Sequence, residues 1–264
     1  MFTKFINCRH IILNEFKNEK STDEERTISE KLRLEKGLLH ELNYFKELSK
    51  KYKKIKNIKN LKNLSRKEKI YETIKALNNG YELIYGGWLQ SGKWSGEIDF
   101  LEINTKKKSN LGNWSYEVID TKYSSRVKSD HIYQVSLYSF LINEAQGFLP
   151  ENFYILLKDK SKEAIKLTDV YETFLVHKTS YENFIESELN GLNKKKNNYF
   201  SFCDLKAVCE NEIVHEKHLS HVLGTNKKNI RKLNNAKIQD YDELAKLSPK
   251  REIEGLKNET KIKL

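Results

Sequence analysis

The sequence predicts an α/β fold, with helices packed around one sheet and a small helical appendage near its C-terminal end. Apolar residues recur at helical spacing over residues 24–52 and again over 129–147. Between them, YELIYGGWLQSGKWSGEIDFLEI and WSYEVIDTKYS read as strands. With 264 residues, 38% of them hydrophobic, the chain can build one sizeable domain with an appendage, or two small domains.

Residues 1–20 form a short amphipathic opening. STDEE at 21–25 is an acidic helix start, with Ser21 or Thr22 as the cap. The helix that follows runs from about 24 to 52, where Ile28, Leu32, Glu35, Leu39, Leu42 and Phe45 recur at roughly helical spacing. Residues 50–69 are lysine-rich and read as a solvated loop and short helix, or as a phosphate-facing patch. Ser65 and Glu68 form a capping box for a helix that Asn79-Gly80 ends. Strand, turn and strand follow, turning at Ser91-Gly92, and Gly86-Gly87 marks a bulge or a close approach. A basic loop at 104–113 leads into a strand over 114–123. Then come a helix over 129–147, strands near 149–158 and 162–167, and a long helix to about Leu189. Its inner face uses Val170, Phe174, His177, Tyr181 and Phe184. NGLNKKKNN at 190–198 is a linker; small helices follow, and 250–264 is a charged tail expected to add nothing to a core.

A net charge of +11 favours a polyanionic partner, although a chain so rich in Lys, Asn and Ile also carries compositional bias. No apolar run reaches transmembrane length, and MFTKFINCRHIILNEF lacks a signal-peptide pattern, so a cytoplasmic protein without a membrane partner is expected. Three cysteines, an odd count, do not suggest a disulfide framework.

The chemistry-bearing stretch is 96–122. Period two puts Val118, Asp120 and Lys122 on one face of a strand, with Glu117, Ile119 and Thr121 opposite. Asp99 sits between Ile98 and Phe100 in the strand before. Burying charge in such company is expensive without a purpose. A hairpin would set Asp99 beside Asp120, where both can hold a hard divalent cation with Lys122 facing substrate. That arrangement points to a metal-dependent phosphodiesterase acting on nucleic acid. The competing reading, buried Asp–Lys pairs that serve only the fold, stands at even weight on local pattern alone. His40, one turn beyond Gly37, is a surface imidazole on its own and a candidate third ligand beside the two aspartates.

GLLHE at 37–41, GEIDFL at 96–101, EVIDTK at 117–122 and QVSLY at 134–138 occur in order. In this set the chain resembles the PD-(D/E)xK nuclease superfamily, in its RecB-like and Cas4-like branch, over about residues 1–247. The resemblance implies a mixed central sheet flanked by helices, that is, a restriction-endonuclease-like core. It implies His40, Asp99 and Asp120 as ligands of Mg²⁺ or Mn²⁺, helped by the Thr121 carbonyl, and Lys122 as the catalytic lysine. Gln134 and Tyr138 match a helix signature beside the active site that contacts DNA. Glu41 orients His40 or pairs with a lysine. Relatives carry four cysteines around an iron–sulfur cluster. Cys8, Cys203 and Cys209 match three of them and Phe200 takes the place of the fourth. The cluster is then lost, completed by Ser201 or His215, or replaced by Zn²⁺.

The division expected is a nuclease core over 1–189, a linker and degenerate cysteine segment over 190–217, a helix–hairpin–helix-like piece over 218–249, and the tail. In that piece Gly224 is retained but Lys237 stands at a glycine position, which weakens phosphate capture by backbone amides. The expected activity is a metal-dependent deoxyribonuclease in repair, recombination or defence against foreign DNA. The alternative is a DNA-binding or scaffolding subunit that works with a helicase or another partner.

Overall fold

The computed structural model describes residues 1–7, 12, 28–189, 217, 219, 222, 227–248 and 251–256. Contacts divide the chain into two units. One holds Phe2 and Thr22–Leu192; the other holds Met1, Thr3–Ser21 and Asn193–Leu264.

After the short helix α1 (Phe2–Asn7), helix α2 runs Ile28–Lys51 and leads into strand β1 (Ile55–Asn57). Helix α3 (Arg66–Asn78) is started by the capping box: the Ser65 side chain accepts from Glu68 N–H, and Glu68 accepts from Ser65 N–H. Strands β2 (Leu83–Ser91) and β3 (Trp94–Asn104) form a hairpin whose turn holds Gly92 at φ +55°. Strand β4 (Ser115–Thr121), helix α4 (Ser129–Gln146), strands β5 (Asn152–Leu156) and β6 (Lys162–Lys166), and helix α5 (Leu167–Leu189) complete this unit.

The six strands form one sheet in sequence order, β1 to β6. β1–β2 and β4–β5 are parallel, the other neighbours antiparallel. The fold is therefore a mixed central sheet flanked by helices. No helix among the described residues is long and apolar enough to cross a membrane.

Strand β1 has no counterpart in the sequence reading. IKN is three residues inside a lysine run, too short to show period two, yet Ile58 beside it is fully buried. The apolar positions of α2 are only partly covered. Ile28, Leu32, Leu39 and Leu42 are exposed. The buried side of α2 instead carries Leu48, with Tyr44 and Phe45, against Leu83, Tyr85, Phe100 and Ile119. Three aromatic contacts define that seam: Phe45 stacks on Tyr85, Tyr85 on Phe100, and Tyr44 meets Phe100 edge-on. The sheet covers only the later turns of the helix, so the earlier apolar positions gain nothing from it. In α5, by contrast, Phe174 from the predicted inner face is fully buried.

Buried Gln146 at the end of α4 supports β4. Its amide accepts from Tyr116 N–H (2.7 Å) and donates to Tyr116 C=O (3.2 Å) and Phe148 C=O (2.7 Å). A side chain here completes backbone pairing that would otherwise be buried unsatisfied.

The second unit contains helices α6 (Lys227–Asn235) and α7 (Tyr241–Ala245), the latter capped by Asp240, which accepts from Glu243 N–H at 2.7 Å. Lys237 between them adopts φ +63°, the conformation a glycine would take without penalty. The tail contributes to this core, contrary to its charged composition: Ile253 and Leu256 are buried with Leu219, Leu233 and Ile238. Their spacing of three places both on one side of a single turn, closed by Leu256 N–H to Ile253 C=O at 2.9 Å.

Candidate functional site

Strands β3 and β4 pair with Phe100 opposite Ile119 and Leu101 opposite Val118. The next step of that register sets Asp99 against Asp120, the juxtaposition expected from the hairpin. Asp99 is fixed by β4 itself: its Oδ2 accepts from the Thr121 N–H and from the Thr121 hydroxyl, both at 2.8 Å.

Asp120 is 1% exposed. Lys122 Nζ lies 2.6 Å from its Oδ2 as an ion pair, yet that oxygen has no aligned hydrogen-bond donor. Burial, with the Asp99 charge beside it, pushes the Asp120 carboxyl up to about 7 against the pull of Lys122. Burial pulls Lys122 the other way, but the charges of Asp120 and Asp99 carry it above its ordinary value. Lys122 is therefore a cation, next to a carboxylate that protonates far more easily than a solvated one.

A second layer comes from α2 and the loop after β1. Glu41, 7% exposed, is ion-paired with Lys59, whose Nζ also lies 3.7 Å from Glu97. Burial raises the Glu41 carboxyl, the Asp99 charge adds to this, and Lys59 opposes it. Of the two roles weighed for Glu41, it takes the lysine pair, but buried rather than on the surface.

Gly86 makes room for Lys59. It adopts φ +69°, and a Cβ there would collide with Lys59 Cγ. The β2–β3 register runs one-to-one through this point, so the glycine marks a close approach and not an inserted residue. Gly86→Ala is expected to destabilise the fold by about 1–3 kcal/mol, from the strained backbone conformation and the displaced lysine. Denaturant titration measures it; parent-like stability would mean that Lys59 leaves Glu41 at no cost.

Helix α4 closes another side. A Cβ on Gly96 would come within 2.7 Å of Tyr138 Cε1, so the missing side chain lets Tyr138 lie against β3. Tyr138 Oη accepts from Gln134 Nε2 at 2.7 Å, joining the two residues of the QVSLY signature. Burial and then the Asp120 charge raise the Tyr138 phenol well above its ordinary range.

His40 stands apart. Its Nε2 is buried without a hydrogen-bond partner, and its ring meets Tyr123 edge-on with centroids 6.0 Å apart. Among the described residues no group of three or more His, Cys, Asp or Glu side chains is placed to share a metal ion. His40, Asp99 and Asp120 thus do not form a three-ligand set, whereas Asp99 and Asp120 do stand together. Cys8, Cys203 and Cys209, and with them any iron–sulfur or zinc site, lie outside the described residues.

The lysine-rich stretches are less free than their composition suggests. Lys51 pairs with Glu102 (3.3 Å), Lys56 with Glu72, and Lys107 with Glu151 (2.5 Å). Lys59 and Glu97 were missed by sequence reasoning. One is among many lysines of a run, the other sits at no telling spacing, and Gly86 was the available signal. No protein-family model and no curated protein matches the chain.

Proposed function

We propose that the chain is a divalent-metal-dependent deoxyribonuclease of the PD-(D/E)xK type, with a restriction-endonuclease-like core. The observation that carries this reading is the Asp99–Asp120 pair, with Asp120 buried and the Lys122 ammonium beside it. Two carboxylates are a sufficient protein donor set for Mg²⁺, which keeps several waters and takes further oxygens from phosphates. The buried Asp120 Oδ2 without an aligned donor fits a cation there. All these donors are hard oxygens, suited to Mg²⁺ or Mn²⁺.

Asp99 and Asp120 hold the ion in this reading, which when bound lowers the pKa of a water and polarises the scissile phosphate. The Thr121 N–H and hydroxyl hold the Asp99 carboxylate in place. Lys122 offsets charge that develops on the phosphoryl oxygens. Gln134, which donates to the hydroxyl of buried Tyr138, is the polar group that this helix offers to DNA in this reading.

Incubation of end-labelled linear and circular DNA with Mg²⁺, Mn²⁺ or chelator tests the proposal. Metal-dependent cutting that Asp99→Asn abolishes is the expected result. The lack of a three-ligand group among the described residues favours a second reading, a DNA-binding subunit that works through a partner such as a helicase. DNA binding without cutting under any of these conditions would replace the first reading by the second.

In either case affinity for DNA is expected to fall as salt rises from 50 to 200 mM, by roughly ten- to a hundred-fold if two to four phosphates are contacted. Fluorescence anisotropy measures the slope. A flat response would remove phosphate contacts from both readings.

A further inference from the structure

A cavity of about 240 Å³ opens beside the end of β4, lined by Lys36, His40, Tyr44, Tyr123, Lys158 and Lys160 among others. We propose that it is a nucleotide subsite, which holds the phosphate and base of one nucleotide of the substrate strand. The proposal rests on the nuclease reading for its substrate class, and its chemistry rests on this cavity alone.

Four features converge on that ligand. Three lysines face one carboxylate in the lining, Glu47, and that carboxylate is paired with Lys160 at the exposed surface. Such a pair contributes little and opens readily to a phosphate. His40 Nε2 is buried and unsatisfied, a state costly enough that a polar group is expected to complete it. An Nε2–H donates to a phosphate oxygen. Third, Lys160 adopts φ +69° in the turn between β5 and β6, where glycine would be free of strain. The lysine there puts an ammonium at the cavity in a conformation that costs the fold. The turn is tied to the end of β4 by Lys158 N–H to Ser124 C=O at 3.1 Å.

Finally, Tyr123 follows Lys122 directly and leaves 42% of its surface exposed, a face on which a base can stack. His40 then serves the substrate strand.

The test uses the full chain in chelator, so that nothing is cut, with thymidine 5′-monophosphate and thymidine as probes. Histidine ring signals are followed by NMR, and that of His40 is assigned by its loss in His40→Gln. The monophosphate is expected to shift the His40 signal and thymidine at equal concentration to leave it unmoved. Lys160→Gly should fold as well as the parent or better, because glycine relieves the turn, yet bind the monophosphate roughly ten-fold more weakly. Lys158→Ala should weaken it similarly.

Equal response to thymidine overturns the proposal, as does parent-like affinity in both lysine variants. A protein that cuts DNA while its His40 signal ignores the monophosphate loses the subsite and keeps the nuclease. One that binds the monophosphate through Lys158 and Lys160 but cuts nothing keeps the subsite and loses the nuclease.

Discussion

Lys122→Ala is expected to lower single-turnover DNA cleavage by roughly two to four orders of magnitude, the scale of losing one transition-state electrostatic contact. Its ammonium lies 2.6 Å from Asp120 Oδ2 and keeps 20% of its side-chain surface, so it faces both the buried carboxylate and the approach of substrate. The variant also has a predictable effect on pH. Lys122 holds the Asp120 carboxyl down against burial and the Asp99 charge. Without it, Asp120 keeps its proton to higher pH, and the acid limb of metal binding should move upward. At alkaline pH the variant should recover metal and DNA binding but not cleavage. Melting curves run alongside guard against a folding defect. A folded Lys122→Ala protein that binds metal and cuts at the parent rate would sink the proposed chemistry.

Elements with a strong period or a local stop signal were legible in the sequence. The capping box at Ser65–Glu68, the hairpin turn at Gly92 and the helix stop at Gly147 each act over a few residues, and each appears in the fold. Strand β1 was not legible, because a three-residue strand is defined by its neighbour β2 and not by its own pattern. The buried face of α2 was not legible for a related reason. Periodicity shows that a helix has an apolar stripe, but which turns are covered depends on where the sheet lies. Ile253 and Leu256 show the converse: two apolar residues one turn apart suffice to join a small core even within a charged tail.

The carboxylate pair was legible because strands alternate. Once Asp99 and Asp120 were placed in adjacent antiparallel strands, only register remained open, and β3–β4 pairing supplies it. Lys59 was not legible. It reaches Glu41 across the backbone of Gly86, a contact between residues distant in sequence that no local spacing encodes. His40 was placed with the carboxylates as a candidate third ligand, and its side chain also lines the lysine-rich cavity. A helix face fixes which residues are neighbours along it, but not which of two adjoining sites each one enters.

Asp120→Asn should abolish metal-supported cleavage and at the same time stabilise the metal-free fold near pH 8, because it removes a buried charge whose desolvation Lys122 does not fully offset. The sign follows from the direction of the shift. A carboxyl raised in the folded state, here to about 7 from 3.8, binds its proton more tightly folded than unfolded. Its contribution is therefore most favourable below the unfolded value, where both states are protonated. It is lost as pH rises from there through the raised folded value. Asparagine removes that loss, so the stability of the variant should vary less with pH between about 4 and 7 than that of the parent. Lys122, partly exposed, can turn its ammonium to water once the carboxylate is gone. Addition of Mg²⁺ should raise the melting temperature of the parent and leave that of the variant unchanged, because ligand binding stabilises only a state that binds it. The competing reading, in which Asp120 and Lys122 serve only to hold the fold together, requires the opposite: a destabilised Asp120→Asn protein and no response of either protein to Mg²⁺. Denaturant titrations of both proteins at pH 5 and pH 8, with and without Mg²⁺, decide between the two.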